Sequence, residues 1–165
     1  MTSAPIITQR LKLVLESIEE VRARLEAMSP SEKAEISVDW LARFRAAVSP
    51  DPWIHGFAMV LQADDVVVGN VGFKSPPGPD GVVEIAYGVA LEHQGRGYAT
   101  EAAALVSYAF ETGQVRIVRA HTFQEPNASA RILTKCGFRN VGEVVDPDDG
   151  LVWRWEREND AAPRS

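Results

Sequence analysis

A glycine-rich turn at residues 94–99 constrains this 165-residue chain more than any other feature. The run Val82–Val89 before it has the composition and alternation of a strand, and Thr100–Phe110 after it has the apolar spacing of a helix. Glycines let the main chain approach a ligand closely, and the first turn of a helix offers unpaired N–H groups at the positive end of its dipole. The sequence therefore predicts a phosphate-binding turn between a strand and a helix.

Two familiar phosphate motifs do not fit this turn. A dinucleotide fingerprint ends in Gly or Ala, but the run that begins at Gly95 has Thr100 in that last place. The Walker-type pattern G-x-x-x-x-G-K-[ST] is absent from the sequence. What remains is the pattern Gln-x-x-Gly-x-Ala, formed by Gln94, Gly97 and Ala99 at the start of a helix.

A second segment, residues 125–138, predicts another helix, with a capping residue at its start and a glycine at its end. Either Asn127 or Ser129 can cap its start, and Gly137 ends it. An apolar stripe at helical spacing lies between them, made of Ala130, Leu133 and Cys136. We interpret Cys136 as a small core residue, because it lies on the apolar face of the helix.

The rest of the chain predicts an α+β fold. Alternating or β-rich runs predict strands at 10–15, 57–62, 66–73, 82–90, 115–122, 138–145 and 151–156. Two helices are predicted near the N-terminus, at 18–28 and from Val38, separated by a break at Ser29–Ser31. This order of elements favours a mixed and mostly antiparallel sheet.

Residues 94–99 resemble the acyl-CoA loop of the GNAT superfamily of N-acetyltransferases, and residues 125–138 resemble its Asn-x-x-Ser…Gly-Phe segment. The similarity is strongest to the branch of ribosomal-protein N-terminal acetyltransferases, the Rim type, and their antibiotic-modifying relatives. It extends from about Gly56 to Glu156, with one departure: the step from Asn127 to Ser129 is one residue shorter than in the family. The resemblance implies a mostly antiparallel central sheet flanked by helices. It also implies direct transfer of an acetyl group from acetyl-CoA to a primary amine in a ternary complex, the amine being a protein N-terminus or a small molecule.

The resemblance further implies which residues hold acetyl-CoA. Backbone N–H groups of the loop would bind the pyrophosphate, and the strand before it would offer backbone groups to the pantetheine and thioester. The implied contacts are Val89, Ala90, Leu91, Gln94, Gly95, Arg96, Gly97, Tyr98, Ala99, Thr100 and Asn127. Glu101 must point away, because a carboxylate repels phosphate.

Glu84 and Ser129 are the predicted catalytic residues. Glu84 is a charge inside the apolar run Val82–Ile85, which is costly unless the charge is partnered or functional, and some superfamily members carry their catalytic Glu nearby. It is therefore a candidate base, the alternative being a residue on a half-solvated strand face. Ser129 aligns with a Ser of the Rim-like branch and would either assist the leaving thiolate or cap the helix. Many relatives place a Tyr on this helix, but residues 127–136 contain none. His121 ends a strand near Asn127 and could line the site, but we interpret it as structural.

Composition limits the remaining alternatives. The length suggests a single N-acetyltransferase domain at 1–158 with a loose tail at 159–165, and the net charge of −6 argues against nucleic-acid or anionic-membrane partners. A lone cysteine excludes an internal disulfide, and no His, Cys, Asp or Glu cluster has metal-ligand spacing. The absence of a signal-like or membrane-length apolar run predicts a cytoplasmic protein. A homodimer, a non-catalytic acyl-CoA-binding regulatory module and another phosphate-binding fold stay open.

Overall fold

The protein is described here by a computed structural model covering residues 4–124, 128–147 and 150–159. In these ranges, runs of strands are separated by runs of α-helices. The strands are β1 Ile6–Ile7, β2 Leu11–Leu15, β3 Phe57–Leu61, β4 Val67–Phe73, β5 Val82–Val89, β6 Ile117–Thr122, β7 Arg139–Asp146 and β8 Gly150–Glu158. The helices are α1 Ile18–Ala27, α2 Pro30–Ala34, α3 Val38–Ala46, α4 Tyr98–Ala102, α5 Ala104–Glu111 and α6 Ala128–Lys135.

The strands form one eight-stranded sheet in the order β1-β2-β3-β4-β5-β6-β8-β7. All neighbours pair antiparallel except β5 and β6, which pair parallel. The predicted α+β class with a mixed, mostly antiparallel sheet is confirmed.

The parallel pair separates soon after it begins. Val82, Val83 and Glu84 pair with Ile117, Val118 and Arg119, and the ladder stops there. Both strands continue beyond this point, β5 to Val89 and β6 to Thr122. We call the resulting opening between them the strand gap.

The two faces of the sheet are covered differently. Val83 and Ile85 of β5 are buried in a core that includes Leu105 and Val106 of α5 and Leu133 of α6. Alternate residues of a strand point to opposite faces, so Glu84, Ala86 and Gly88 lie on the other face, where Ala86 and Gly88 are exposed. The N-terminal helices border this second face.

Serines cap the N-terminal helices. Ser17 forms a capping box with Glu20 at the start of α1. The predicted break before Ser29–Ser31 is confirmed, since α1 ends at Ala27, but Ser29 also forms a capping box with Glu32 and starts a further short helix, α2, that was not predicted. Proline is favoured at a first helical position, since its fixed φ suits the helix and no N–H bond is lost.

Other boundaries differ by a few residues. The helix predicted from Thr100 begins at Tyr98 and is divided at Ala103, which ends α4 and precedes α5. The short strand β1 was not predicted. At the C-terminus, the backbone N–H of Asn159 donates to the carbonyl of Arg116 at 2.9 Å, and the rest of the predicted tail lies outside the described residues. Within the described ranges, no helix combines the length and apolar character needed to span a membrane.

Candidate active site

The loop from β5 to α4 has the geometry that its glycines predict. A short 3-10 turn, Leu91–His93, follows β5, and Gly95 and Gly97 then adopt left-handed φ values of +78° and +84°. Gly97 occupies the N-cap of α4 without a side-chain cap, and the first bond back to it comes from the N–H of Glu101 at 3.2 Å. The N–H groups of the first turn therefore have no intrahelical acceptors and are available to an anion.

Arg10 holds this loop from the N-terminal side of the sheet. Its Nη2 donates to the carbonyl of Arg96 at 2.7 Å, and its guanidinium lies 4.7 Å from the centre of the buried Tyr98 ring. It also forms an ion pair with Glu101, which accepts further hydrogen bonds from Thr8 and the Arg10 backbone. Glu101 is thus turned toward Thr8 and Arg10, and its pointing away from bound phosphate stays a prediction.

These contacts set the protonation of Glu101. Burial by itself would raise the pKa of the carboxyl. Hydrogen bonds from the Arg10 backbone N–H, the Thr8 hydroxyl and the Arg10 guanidinium oppose burial, and the net pKa is lowered from its ordinary 4.5. Glu101 is therefore a charged anchor for the loop.

The backbone of β5 divides the predicted pantetheine contacts into two groups. The carbonyl of Glu84 accepts from Lys74, and the N–H of Ala90 donates to Val68, so even-numbered residues bond to β4. Odd-numbered residues, including Tyr87 and Val89, turn their backbone groups toward the strand gap. Ala90 is thus turned away from the gap.

The remaining loop residues occupy distinct places. The side-chain amide of Gln94 donates to the carbonyl of Val89 at 3.0 Å, which fastens the loop to the strand. Gln94, Gly95, Arg96 and the side chain of Leu91 are exposed. Ala99 and Thr100 are half-buried in α4, and Asn127 lies outside the described residues.

Glu84 lies where the two parallel strands part. Its side chain is 19% exposed, and its Oε2 is 2.9 Å from Lys74 Nζ and 3.0 Å from His121 Nδ1. The side chain of His121 is 5% exposed, and its Nε2 accepts from Arg154 Nε at 3.2 Å. A guanidinium can only donate, so the proton of a neutral His121 is on Nδ1, beside the Glu84 carboxylate. The structure therefore supports the alternative that His121 lines the site, and it adds Lys74, which the sequence did not single out.

One further carboxylate completes this cluster. Single ligand atoms of Glu84, His121 and Asp146 all lie within 4.8 Å of one another, a grouping that sequence spacing does not reveal because the residues come from three strands. Lys74 and Arg154 already place positive charge against Glu84 and His121. A metal cation would have to displace or tolerate these charges, which disfavours a metal site.

A buried phenol lies near Ser129, although the described helix α6 carries no tyrosine. Tyr87 of β5 has a buried hydroxyl with no hydrogen-bond partner among the residues described. Burial raises the pKa of this phenol above its ordinary 10.0, the Ser129 hydroxyl of α6 partly opposes the rise, and Cys136 adds to it. The site therefore holds a protonated donor next to Ser129.

These groups share a cavity that passes through the strand gap. The inner cavity has a volume of about 200 Å³ and is lined by residues of both sheet faces, among them Lys74, Glu84, Tyr87, His121, Ser129 and Leu133. The two predicted catalytic residues are thus brought together. An outer cavity of about 300 Å³ adjoins it at Ala86 and Tyr87, and its lining includes Glu16, Arg24, Trp40, Asn70, Gly72 and Gly88.

The chain belongs to the acetyltransferase (GNAT) family, whose domain matches residues 12–139. Among curated proteins it is similar to the uncharacterized N-acetyltransferase p20 of Bacillus licheniformis, with 29% identity over 91 residues. That match covers 54% of this chain and 51% of the relative, so the chain spans about half the length of the curated relatives it matches.

Two solved structures illustrate the shared fold. An acetyltransferase (GNAT family) from Bacillus anthracis superposes with a TM-score of 0.67 at 19% identity, covering 93% of this chain and 98% of the other. The ribosomal L7/L12 alpha-N-protein acetyltransferase RimL, in complex with coenzyme A, superposes with a TM-score of 0.68 at 16% identity, covering 94% and 98%.

Proposed function

We propose that this protein transfers the acetyl group of acetyl-CoA to a primary amine by direct attack in a ternary complex. The observation that carries the proposal is the inner cavity, which joins the partnered carboxylate of Glu84 to the buried phenol of Tyr87 through the strand gap. The free N–H groups at the start of α4 lie at the end of the same strand and would bind the pyrophosphate. A chain that belongs to the GNAT family is suited to this reaction.

The reaction divides between the two sides of the gap. Glu84 takes a proton from the ammonium group of the acceptor, directly or through a water, and Lys74 and His121 hold the carboxylate in place. The amine nitrogen then attacks the thioester carbonyl carbon, the carbon–sulfur bond breaks, and the nitrogen gives up its second proton to solvent as the amide forms; the group that protonates the sulfur takes a proton back from solvent. The backbone N–H groups of β5 that face the gap would polarise the carbonyl oxygen.

The leaving thiolate needs a proton on the other face of the sheet. Tyr87 would donate it, because burial keeps the phenol protonated and no other group of the described structure accepts its hydrogen. Ser129, next to Tyr87, would orient the sulfur or relay the proton. The acceptor is a protein N-terminus or a small-molecule amine.

The test is turnover with a panel of amines. The protein is mixed with acetyl-CoA and with peptides, polyamines or aminoglycosides, and free CoA thiol and acetylated product are measured. We expect stoichiometric release of both. Calorimetric titration with CoA, ATP and NAD accompanies it, and we expect CoA to bind most tightly. Tight CoA binding without turnover would instead support a regulatory module, and preference for ATP or NAD would support a different phosphate-binding function.

A matched pair of glycine variants ties turnover to the loop. Gly97→Asp places a carboxylate at the N-cap of α4, where a phosphate would bind, and we expect CoA affinity to fall at least a hundredfold. Gly113→Asp is the control, since Gly113 has a similar φ of +76° and open space around it. Equal CoA affinity in the two folded variants would contradict the assignment of the loop.

A further inference from the structure

The outer cavity contains a buried ion pair with an unusual division of exposure. Glu16 follows β2, and its side chain is 8% exposed, whereas Arg24 of α1 is 38% exposed. Both residues line the outer cavity. The carboxylate is therefore shielded, and the guanidinium is the charge that a ligand in the cavity meets.

The hydrogen bonds also distinguish the shielded Glu16 carboxylate from the accessible Arg24 guanidinium. Glu16 accepts from Arg24 Nη1 through both oxygens, at 2.5 and 2.6 Å, and Asn70 Nδ2 donates to Oε1 at 2.7 Å. The carboxylate thus accepts three hydrogen bonds from two donor nitrogens. Nη2 and Nε of Arg24 have no acceptor in the part of the chain that the structure describes. A guanidinium that keeps unused donors in a cavity suits a carboxylate ligand, which it can bind through two parallel hydrogen bonds.

A trench of small residues connects Arg24 with the strand gap. Gly72 and Ala86 face each other across β4 and β5, as do Asn70 and Gly88, and all four line the outer cavity. A Cβ atom added to Gly88 would meet nothing within 4 Å, so the floor is open at that end, whereas one added to Gly72 would meet Gly56 Cα at 3.0 Å. Four residues of strand separate Glu84 from Gly88, roughly 13 Å, and two separate Ala86 from Gly88, roughly 7 Å.

We propose that the acceptor is a peptide N-terminus with a carboxylate within its first three residues. Its amine would lie beside Glu84 at the strand gap, and its carboxylate would bind Arg24, which Glu16 and Asn70 hold in position. An extended peptide advances about 3.3 Å per residue, so the two steps from position 1 to position 3 cover roughly 7 Å of the roughly 13 Å, and the side chain of an acidic residue at position 3 extends the reach toward Arg24. This inference rests on the proposed function and names the substrate class of that site.

Two peptides that differ in one group test the inference. They share a free N-terminus and an amidated C-terminus and carry either Glu or Gln at position 3. For the unmodified protein we expect kcat/KM to be about tenfold higher for the Glu peptide, the ratio that one charge-assisted contact of about 1.4 kcal/mol gives. Equal kcat/KM values, or acetylation of polyamines but of neither peptide, would overturn the inference.

Variants in α1 test whether Arg24 causes the preference for the Glu peptide over the Gln peptide. Arg24→Gln should bring the Glu/Gln ratio of kcat/KM close to one. Arg22→Gln, on the same helix and exposed, is the control and should keep the tenfold ratio. If Arg24→Gln fails to fold because Glu16 loses its partner, the double variant Glu16→Gln/Arg24→Gln removes both charges and should show the same loss. A preserved ratio in either folded variant contradicts the role of Arg24.

Binding separates this inference from the proposed function. Calorimetric titration of the two peptides into the CoA complex measures the preference without turnover. If no amine is acetylated but the Glu peptide binds about tenfold more tightly, the proposed activity fails and the carboxylate site stands. If amines are acetylated and the peptides bind equally, the activity stands and the carboxylate site fails.

Discussion

Tyr87 brings its phenol into the site from a strand, whereas the family pattern places a phenol on the late helix. The odd-numbered position of Tyr87 in β5 directs its side chain to the face covered by α6, so it reaches the neighbourhood of Ser129. Under the proposed mechanism, the proton donor for the leaving sulfur comes from β5, so the absence of a tyrosine from α6 does not argue against this mechanism.

Glu84→Gln should remove the base. We expect kcat to fall about a hundredfold at pH 7, the usual size of a general-base contribution. The deficit should narrow above about pH 8, because an α-amine then loses its proton to solvent. A pH–rate profile measured with a peptide acceptor tests this, and a deficit that is constant across pH would exclude Glu84 as the base.

Tyr87→Phe, its companion variant, should lower kcat about tenfold at pH 7. Because the pKa of the phenol is raised, Tyr87 stays protonated below its ordinary value of 10.0 and is lost as a donor only above it. The deficit should nevertheless shrink above about pH 8.5, where a thiolate leaves without help. Tyr108→Phe is the control. Burial also raises the pKa of the Tyr108 phenol, but its ring packs against Phe57. Equal losses in the two variants would contradict the donor role.

At the residue scale, sequence reasoning found the groups that break a local pattern. Glu84 interrupts an apolar run, and Ser129 precedes an apolar stripe, so each is visible within a few residues. Lys74, His121 and Arg154 are ordinary in their own segments. Their relation to Glu84 depends on the register of β4, β5, β6 and β8, which a single sequence does not specify.

At the scale of elements, the early end of the β5–β6 ladder is the decisive feature. In the second half of β5, the backbone groups that face the gap therefore have no partner on β6. The side-chain amide of Gln94 donates a hydrogen bond to one of them, the carbonyl of Val89. The strand, the turn and the helix were predictable from periodicity and glycine. The separation of the strands was not, because it results from packing on both faces.

The contact between Arg10 and Glu101 couples the start of β2 to the first turn of α4, and it should make stability depend on pH. The pKa of Glu101 is lowered in the folded state, so its contribution is fully present above the ordinary 4.5 and is lost as pH falls through the folded value. Glu101→Gln should reduce the free energy of unfolding by about 2 kcal/mol at pH 7. Denaturant unfolding at pH 7 and pH 3 measures this difference.

The control for this contact is an exposed carboxylate of the adjoining helix. Glu111→Gln, at the end of α5, should change stability little at either pH. We expect the Glu101→Gln deficit to shrink as the pH falls through the lowered pKa of Glu101 in the folded state, because the unmodified carboxyl then becomes neutral as well. A deficit of the same size at both pH values would mean that the charge of Glu101 does not stabilise the loop.

At the scale of the whole molecule, the sheet separates two faces, and the strand gap between β5 and β6 is an opening between them. The α4 loop and α6 lie on one face, the trench from Ala86 to Arg24 lies on the other, and the inner cavity connects them. Such an arrangement lets donor and acceptor approach from opposite faces and meet at the gap, which favours direct transfer over a covalent enzyme intermediate. The length and element order of the chain predicted the sheet, whereas this passage became visible only in three dimensions.

The most direct test of this account is a crystal structure of the protein with coenzyme A bound. We predict that the pyrophosphate will accept hydrogen bonds from backbone N–H groups of residues 95–100, and that the thiol will lie in the strand gap beside Tyr87. A ligand bound elsewhere, with the loop and the gap filled only by solvent, would contradict the account.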